Sequence, residues 1–306
     1  MERQYLGLST SIDITRESLS NMHEKNENKL ILLGTKGGPA IRPNGSMPTS
    51  SLLLLDGQKI LVDAGLGVTR GLVNSGFDLK TLSAIFITHL HSDHILELGP
   101  LIHTAWATGL KSTINIYGPS GLVTYWNNFI ASMALDIDNR ISNEDRTPLE
   151  KFVKIHSLSD QPIVLGKLQA FFLEVPHPPM EECYAFKIVG SKSITFSGDT
   201  HFFPPLADFA TNSDILVHEA ILTDYIDTLV KKTGLGDKLR NHLIRSHTPL
   251  EKVMEIARIA NCRMLILNHL IPNDDPAYDQ KVWVDRSQKG WSGKTLVGRD
   301  GLEIKF

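Results

Sequence analysis

The segment 88–94, with the sequence THLHSDH, places three histidines and an aspartate within six residues. Imidazole and carboxylate groups are among the ligands that Zn²⁺ takes in proteins. His89 and His91 can converge on one ion, while Asp93 and His94 point elsewhere and are available to a second ion. A polar turn that happens to be rich in histidine is the alternative, which we disfavour because histidine is uncommon and each member is a good zinc donor. The segment therefore predicts a metal site.

A buried strand is expected directly before this segment. Residues 84–87, with the sequence AIFI, form a short apolar run, which is typical of a strand that ends in a loop at the edge of a sheet. A second strand is predicted at 60–62, after a hairpin turn at 56–57, and it ends at Asp63. A carboxylate at that place can hydrogen-bond a ligating histidine. We therefore expect Asp63 to support the site without binding metal itself.

Four later predicted strands follow the same pattern. Each apolar run ends at a metal-capable or acid–base residue: His177 after 170–175, Asp199 after 194–196, His218 and Glu219 after 214–217, and His269 after 264–267. Strand ends at a sheet edge bring together residues that are far apart in the sequence. These strands are therefore expected to build one site.

His247 lies directly before a predicted helix start. In the following sequence, TPLE at 248–251, the threonine can cap the helix, the proline suits the first helical position and the glutamate completes a capping box. The helix dipole disfavours a protonated imidazole at such a position, whereas a nearby carboxylate restores its basicity. Glu219 is the expected carboxylate, which makes the two residues candidates for acid–base catalysis.

Length and composition favour one large folded unit. The chain has 306 residues, of which 42% are hydrophobic, and no linker, charge block or repeat divides it. We expect one domain over residues 30–306. Because residues 11–29 are mostly polar and charged, the segment 1–29 is expected to be an N-terminal arm, mobile or forming a short helix. The net charge of −3 provides no general attraction to nucleic acid.

The two cysteines and the start of the chain favour a cytoplasmic protein. Cys183 and Cys262 follow neither a zinc-finger spacing nor a disulfide-rich pattern, so buried thiols in a reducing compartment are expected. Residues 1–5 lack the basic start of a signal peptide, and no run approaches the roughly 20 apolar residues of a membrane span. We expect a soluble protein without a membrane partner.

Taken together, these motifs resemble those of the metallo-β-lactamase superfamily. The pattern His-x-His-x-Asp-His at 89–94 is followed, in the order of that family, by His177, by Asp199 within Ser-Gly-Asp-Thr, and by His269. The resemblance implies an α/β fold, namely a four-layer αβ/βα sandwich in which two mixed sheets face each other and helices lie outside.

Two further motifs indicate a branch of that superfamily. The triplets His-Glu-Ala at 218–220 and Ser-His-Thr at 246–248 are similar to motifs of the branch that contains tRNase Z and arylsulfatase-like hydrolases. The resemblance extends over about residues 30–273. It implies a metal-dependent hydrolase.

The same resemblance implies a centre with two zinc ions per chain, which iron or manganese can replace. The seven implied ligands are imidazoles and carboxylates: His89, His91 and His177 for one ion, Asp93, His94 and His269 for the other, and Asp199 as the bridge. A hydroxide derived from water would also bridge the ions and act as the nucleophile.

The resemblance also implies which residues take part in catalysis. Glu219 would orient His247, which donates a proton to the leaving group or stabilises developing charge. Asp93, Glu219 and His247 are the expected catalytic residues. Five histidines match none of these motifs and are expected to be ordinary, although the fourth, two residues after Asp199, has a place near the pocket: His23, His103, His156, His201 and His242.

The stretch between His177 and Asp199 bears on the substrate. In tRNase Z an arm that grips tRNA is commonly inserted at this place, whereas here only residues 178–198 are available. That length accommodates a hairpin over 184–189 and 193–196 and little else. The missing arm and the acidic balance disfavour nucleic acid as the partner without excluding it.

Three functions remain open, and the first is preferred. It is a dinuclear hydrolase of a small-molecule substrate, namely an organic ester, lactone, lactam or sulfate. The alternative is a phosphodiesterase or endoribonuclease resembling tRNase Z, and the third is a metal-binding module without turnover. The pair Glu219 and His247 disfavours the module because binding alone needs no proton donor. The resemblance also implies that the chain can form a homodimer.

Overall fold

Fourteen strands are present in the part of the chain that the structure, a computed structural model, describes, namely residues 27–158 and 161–306. The strands are β1 (Lys29–Gly34), β2 (Ser50–Leu55), β3 (Gln58–Val62), β4 (Ala84–Phe86), β5 (Ile114–Gly118), β6 (Val153–Ser157), β7 (Ile163–Leu165), β8 (Leu168–Glu174), β9 (Tyr184–Val189), β10 (Ser193–Phe196), β11 (Ile215–Ile221), β12 (Met264–Ile271), β13 (Lys294–Val297) and β14 (Leu302–Lys305).

The strands form two sheets of seven strands each. The first sheet has the order β14-β1-β2-β3-β4-β5-β6 and the second has the order β13-β12-β11-β10-β9-β8-β7. In the first sheet, β3 to β6 are parallel while β14, β1, β2 and β3 pair antiparallel. In the second sheet, β10 to β13 are parallel while β7 to β10 pair antiparallel. Both sheets are therefore mixed.

Nine α-helices lie in the same described residues and connect or flank the sheets. They are α1 (Val68–Asn74), α2 (Ser92–Ile95), α3 (Leu98–Ala107), α4 (Leu122–Glu144), α5 (Pro205–Phe209), α6 (Ile226–Thr233), α7 (Gly236–Ser246), α8 (Leu250–Ala260) and α9 (Gln280–Ser287). Short 3₁₀ turns lie at Leu79–Thr81, Leu149–Phe152, Thr223–Tyr225 and Pro276–Tyr278.

The apolar side chains of β1 alternate between the two faces of the first sheet. Leu30 and Leu32 pack in a cluster between the two sheets, which also contains Phe186 from the second sheet. Ile31 and Leu33 face the other way and pack with α1, α3 and α4. A third cluster lies between the second sheet and α5, α8 and α9. Helices therefore cover the outer face of each sheet, which confirms the predicted αβ/βα sandwich.

The predicted hairpins are present, but two strands are longer than expected. β2 and β3 pair antiparallel around residues 56–57, and β9 and β10 pair antiparallel within the stretch 178–198. β11 and β12 continue beyond their predicted ends, so that Glu219 and His269 lie inside strands rather than after them. Parallel pairing between these two strands extends to Ile221 and Ile271, which explains the additional length.

The helix predicted after His247 begins later than expected and has no capping box. α8 begins at Leu250, its N-cap is Pro249, and no side chain caps it. The hydroxyl of Thr248 donates instead to the carbonyl of Thr200, so it is not available to the helix. His247 is itself the C-cap of α7.

The predicted arm and domain boundary remain predictions. Residues 1–26 of the arm expected over 1–29 lie outside the described residues. The single domain expected over 30–306 likewise stays a prediction. Among the described helices, none has the length and apolar character that crossing a membrane requires.

Candidate metal centre

The predicted site residues meet where parallel strands of both sheets end. His89 follows β4 and Asp63 follows the neighbouring β3 in the first sheet. In the second sheet, Asp199 follows β10, while Glu219 and His269 lie toward the ends of β11 and β12. Because the strands in each set run in the same direction, their carboxyl ends form one edge on which distant residues come together.

Three imidazole rings form the first group of ligand atoms. Nε2 of His89 lies 2.9 Å from Nδ1 of His91, and the latter atom lies 3.0 Å from Nε2 of His177. His89 and His177 are fully buried, and His91 is half-buried at the cavity. The three nitrogens are therefore close enough to share one ion.

Asp93, His94 and His269 form a second group beside the first. Nε2 of His269 lies 3.3 Å from Oδ2 of Asp93, and Nε2 of His94 lies 3.6 Å from the same oxygen. The backbone N–H of Gly38 donates to that oxygen at 2.8 Å. The ligand atoms of this group also lie within 4.8 Å of one another.

Asp199 lies between the two groups. Its Oδ2 is 3.1 Å from Nε2 of His269 and 3.3 Å from Nε2 of His94. The same oxygen is 3.8 Å from Nε2 of His89 and 3.8 Å from Nε2 of His177. One carboxylate oxygen is thus close to nitrogens of both groups, which is the position that a bridging ligand needs.

Hydrogen bonds behind the rings determine which nitrogen faces the centre. Nδ1 of His94 donates to Oδ2 of Asp63 at 2.8 Å, and Nδ1 of His177 donates to the carbonyl of Ser246 at 2.8 Å. Because the Nδ1 proton of each neutral ring is used there, its Nε2 presents a lone pair to the centre. This is the tautomer in which an imidazole binds a metal ion through Nε2.

Asp63 has the supporting role that its position predicts. Its carboxylate accepts hydrogen bonds from the backbone N–H of Thr88 at 2.8 Å and from the hydroxyl of Thr88 at 3.0 Å. That hydroxyl also lies 3.0 Å from Nδ1 of His89. Asp63 has a φ of 62° and His269 a φ of 44°, in the left-handed region that non-glycine residues seldom adopt and that is found at functional sites.

Burial and charge shift the pKa values of the cluster in opposite directions. Burial lowers the pKa of His89 well below its usual range and lowers that of His177 to about 4. Burial also disfavours the charged form of His94, but the surrounding carboxylates, that of Asp199 first, raise the pKa of His94 well above its usual value. A buried group of carboxylates that attracts positive charge suits a divalent cation.

Within the candidate metal cluster, two buried ring nitrogens lack a hydrogen-bond partner in residues 27–158 and 161–306: Nε2 of His94 and Nδ1 of His269. A buried polar atom without a partner costs free energy, so Nε2 of His94, which faces the two carboxylates, calls for a ligand. Imidazole and carboxylate donors suit zinc, iron and manganese. The residues present therefore fit a metal centre.

Glu219 and His247 form a buried pair beside the cluster, as their positions predict. Nδ1 of His247 lies 3.0 Å from Oε2 of Glu219, and the N–H of Thr200 donates to Oε1 at 2.6 Å. The ring of His247 stacks on that of His269 with 5.4 Å between centroids. Burial raises the pKa of Glu219 well above its usual value and lowers the pKa of His247. Both pKa shifts disfavour the charged form of the residue concerned, so together they favour a pair without net charge.

A cavity of about 530 Å³ lies over the ligand cluster. The opposite wall is largely apolar and comes from α6, α7 and the turns around them: Tyr225, Leu229, Leu235, Leu239 and Leu243. Lys36 and Arg42 add two cationic groups to the lining. Nζ of Lys36 lies 3.1 Å from Asp274, and the guanidinium of Arg42 lies 3.7 Å from the same carboxylate and is about half exposed.

Sequence reasoning missed His242 as a residue of this cavity. It was expected to be ordinary, yet it lines the cavity from α7, with its ring centroid 6.3 Å from that of His91 and 6.1 Å from that of His247. A signal was present, because His242 lies four residues before Ser246 and five before His247, on one helix that leads into the site. His201, the histidine that sequence reasoning did place near the pocket, is absent from the described lining.

Comparison with known proteins places these features in a family. Residues 28–244 match the family described as "Anti-Pycsar protein Apyc1". A "Ribonuclease Z" of Mycolicibacterium gilvum is 30% identical over 257 residues, which cover 82% of this chain and 87% of that relative. Another "Ribonuclease Z", from Mycobacterium bovis, is 27% identical over 277 residues, which cover 89% of this chain and 96% of the relative.

Solved structures show the same fold. The metallo-β-lactamase fold protein YhfI of Bacillus subtilis superposes with a TM-score of 0.69 at 21% identity, covering 92% of this chain and all of that protein. The short form of human tRNase Z superposes with a TM-score of 0.64 at 19% identity, covering 90% of this chain and 98% of that protein.

The preference for a small organic ester, lactone, lactam or sulfate as substrate is wrong. The similar curated relatives are named for ribonuclease activity, which favours the phosphodiesterase alternative. The physical reason is that the metal ligands do not distinguish the two reactions, because a metal pair polarises a carboxylic ester and a phosphodiester alike. The missing arm was therefore given more weight than it can carry.

Proposed function

Because the chain belongs to the family of the anti-Pycsar protein Apyc1, within the ribonuclease Z-like branch of the metallo-β-lactamase superfamily, we propose that this metal-dependent hydrolase cleaves phosphodiester bonds. The observation that carries the proposal is the position of Asp199. Its Oδ2 lies 3.1 to 3.8 Å from imidazole nitrogens of both ligand groups. A paired centre of this kind suits a reaction in which both an attacking and a leaving oxygen need stabilisation.

The proposed ligands are those expected from the motifs. His89, His91 and His177 would hold one ion, and Asp93, His94 and His269 would hold the other, with Asp199 shared. When bound, a pair of divalent ions supplies a nucleophile from water at neutral pH and neutralises charge on the phosphoryl group. Zinc is the proposed ion, and iron and manganese suit the same nitrogen and oxygen donors.

His247 is the proposed proton donor to the leaving oxygen. Its Nδ1 is engaged by the carboxylate of Glu219, so the ring presents Nε2 to the cavity that it lines. Glu219 holds the ring in this orientation and stabilises its protonated form during transfer. Asp93 is the third proposed catalytic residue, because its Oδ2 lies beside both His94 and His269.

The size of the cavity limits the proposed substrate. About 530 Å³ is the volume of a pocket for a ligand of drug size, which is comparable to a nucleotide and far smaller than a folded RNA. The stretch between β8 and β10 contributes only the hairpin that contains β9. We therefore propose that the cleaved bond lies in a nucleotide-sized diester or in the single-stranded end of an RNA.

Turnover of several substrates by the metal-loaded protein tests this proposal. Bis(p-nitrophenyl) phosphate and a short ribo-oligonucleotide should be cleaved with a higher kcat/KM than p-nitrophenyl acetate and p-nitrophenyl sulfate. A folded precursor tRNA with a 3′ extension forms a separate arm of the test. Cleavage of that RNA at the base of its extension would support ribonuclease Z-like processing, whereas no cleavage of any phosphodiester would refute the proposal.

His247→Ala is the variant that tests the proposed proton donor. Loss of general acid catalysis costs about 10²-fold or more in kcat, and this loss should occur while the metal content measured by mass spectrometry stays at the wild-type level. Glu219→Gln is the matched control because it keeps the size of the side chain. It should lower kcat less than His247→Ala does. If His247→Ala instead loses metal, His247 is a ligand and not the proton donor.

The location in the cytoplasm and the homodimer stay predictions. The proposed activity depends on neither, because every residue in the proposed mechanism belongs to one chain.

A further inference from the structure

His242 has a free ring nitrogen at the cavity, and its protonation follows from neighbouring contacts. The hydroxyl of Ser246 lies 2.5 Å from the carbonyl oxygen of Pro178. A carbonyl carries no proton, so the serine must donate its single hydroxyl proton in this contact. The same hydroxyl lies 3.2 Å from Nδ1 of His242. Because its proton is already used, Ser246 accepts there, and Nδ1 of His242 is the donor.

This assignment leaves Nε2 of His242 as an acceptor. A neutral imidazole has one N–H and one lone pair, so a ring protonated at Nδ1 carries its lone pair on Nε2. No hydrogen bond to Nε2 is formed within residues 27–158 and 161–306, although the ring lines the cavity. Ser246 is itself held firmly, since its carbonyl accepts the Nδ1 proton of His177 and its side chain is buried. The acceptor is therefore held in a defined orientation beside the metal ligands.

An acceptor at this place is unsuited to the phosphoryl group itself. The non-bridging oxygens of a phosphodiester carry negative charge and have no proton. They are acceptors, so they cannot form a hydrogen bond with the lone pair on Nε2 of His242. The remaining donors on a nucleotide-sized diester are sugar hydroxyls and the N–H groups of a base. The ring of His242 lies about 6 Å from the rings of His91, His177 and His247. The substrate group that donates to it must therefore be close to the diester. Sugar hydroxyls adjoin the diester, whereas base N–H groups are farther away.

We propose that Nε2 of His242 accepts a hydrogen bond from a sugar hydroxyl next to the scissile phosphodiester, and thereby selects ribose over a sugar that lacks this hydroxyl. The inference rests on the proposed phosphodiesterase activity and narrows its substrate to ribonucleotide diesters. His242 would contact substrate from α7, opposite the ligands carried by the sheets. A hydrogen bond of this kind typically contributes enough to change a rate about tenfold.

The experiment compares uridylyl-(3′→5′)-uridine with its analogue in which fluorine replaces the 2′-hydroxyl of the first sugar. Fluorine keeps the size of the hydroxyl but cannot donate. The metal-loaded wild-type protein should cleave the ribonucleotide with a kcat/KM about tenfold higher than that of the analogue. His242→Phe should remove this preference, and His242→Gln, which retains an acceptor oxygen, should restore part of it.

Two controls separate recognition from damage to the site. Bis(p-nitrophenyl) phosphate has no hydroxyl, so His242→Phe should lose less kcat/KM on it than on the ribonucleotide, at wild-type metal content. His103 lies on the outer helix α3, away from the cavity, so His103→Gln should leave the kcat/KM for all three substrates unchanged. Equal losses on every substrate in His242→Phe would make the residue structural and overturn the inference.

Four further outcomes test the proposed role of His242. A wild-type protein that cleaves both dinucleotides equally well, or a His242→Phe variant that keeps the tenfold preference, would overturn the role of His242 while leaving the phosphodiesterase intact. A 2′,3′-cyclic phosphate product would show that the hydroxyl itself attacks the phosphorus, so that the preference reports the nucleophile and not recognition of the sugar, which would overturn the inference. If the wild-type protein cleaves bis(p-nitrophenyl) phosphate and neither dinucleotide, the inference fails alone. If it cleaves no diester, the proposed function fails with it.

Discussion

The ligand cluster and the α6–α7 hairpin face each other across one cavity but are held in different ways. Most ligand side chains are almost fully buried, and rings such as that of His94 have a hydrogen-bond partner behind them, here Asp63. The hairpin rests on a small separate cluster that includes Tyr225 and Leu243. Leu235, at the tip of the hairpin, is 64% exposed even though it lines the cavity.

Charged contacts at the surface supplement this weak packing. Lys232 of α6 pairs with Asp275 at 2.6 Å, and Arg240 of α7 pairs with Asp227 of α6. Exposed pairs of this kind contribute little to stability. From this difference we infer a division of work in which the strand ends and His247, the C-cap of α7, carry the proposed chemistry, and the rest of the hairpin contacts what enters the cavity. Regions with few buried contacts open at lower free energy than the core, so the hairpin is also the part of the cavity most able to move.

The largest effect is expected from breaking the shared ligand. Asp199→Ala removes the oxygen that lies between the two groups, so both proposed ions should be lost or weakened. Metal-ion catalysis contributes several kcal/mol, which corresponds to a loss of about 10³-fold or more in kcat/KM. Metal analysis and turnover of bis(p-nitrophenyl) phosphate measure both consequences. Full metal content with full turnover would show that Asp199 is not the bridge.

The second effect is a pH dependence of stability, and it comes from His218 on β11. Nδ1 of His218 donates to the carbonyl of Glu219 at 2.7 Å, its Nε2 has no hydrogen-bond partner in the described chain, and burial lowers its pKa to about 4. The pKa in the unfolded chain is about 6.5, so the unfolded state takes up the proton first as the pH falls. The free energy of unfolding is therefore not reduced by His218 above about pH 6.5. It falls as the pH is lowered toward 4, by roughly 3 kcal/mol in total.

Urea unfolding of the chelated protein at pH 7 and pH 4.5 measures this contribution. His218→Leu cannot take up the proton, so its free energy of unfolding should fall less between the two pH values than that of wild type. His156→Leu, a histidine stacked on Tyr117 outside the site, is the matched control and should fall as the wild type does. Equal falls in all three proteins would contradict the assignment to His218.

A smaller effect is expected from loosening one ligand without removing it. Asp63→Asn weakens the acceptor for Nδ1 of His94 while keeping the shape of the side chain. Loss of such an outer partner typically lowers metal affinity 10- to 100-fold. Competition with a chelator of known affinity measures the change. Unaltered affinity would mean that the backbone alone orients His94.

The smallest effect is expected on the hairpin. Leu235→Ala shortens a side chain that is mostly in solvent, so the apolar area lost to a substrate is small and KM should rise only about two- to threefold at unchanged kcat. Steady-state kinetics on the ribo-oligonucleotide measures this ratio. A fall in kcat comparable to that of His247→Ala would show that the hairpin takes part in the chemistry, which would contradict the division drawn above.

That the proposed ligands lie together could be predicted because their signal in the sequence is local. His89, His91, Asp93 and His94 lie within six residues, and every other predicted ligand follows or ends a short apolar run. Runs of this kind predict strands whatever their surroundings, and a strand end is where a side chain is free to bind. The fold followed from the same pattern together with the family resemblance that it carried.

Other features depended on contacts that no local pattern contains. Thr248 was expected to cap a helix, but Thr200 from a distant segment accepts its hydroxyl proton. His242 was expected to be ordinary although it lies one helical turn before Ser246, because only the packing of α7 beside His91 and His177 brings its ring to the cavity. The substrate was misjudged for a related reason. The cavity wall, and not the proposed ligands, limits which substrates can enter.

The sequence by itself determined the residue types, their order and the strand ends that carry them, because apolar periodicity and ligand chemistry are properties of short segments. Only the tertiary structure decided that one oxygen of Asp199 lies between two groups, and that Ser246 fixes the tautomer of His242. The first depends on distances between Asp199 and rings carried by other elements, and the second on the hydrogen bond from Ser246 to the carbonyl of Pro178, which is distant in the chain. Hydrogen-bond roles are assigned by neighbours in space, and those neighbours exist only once the two sheets have packed.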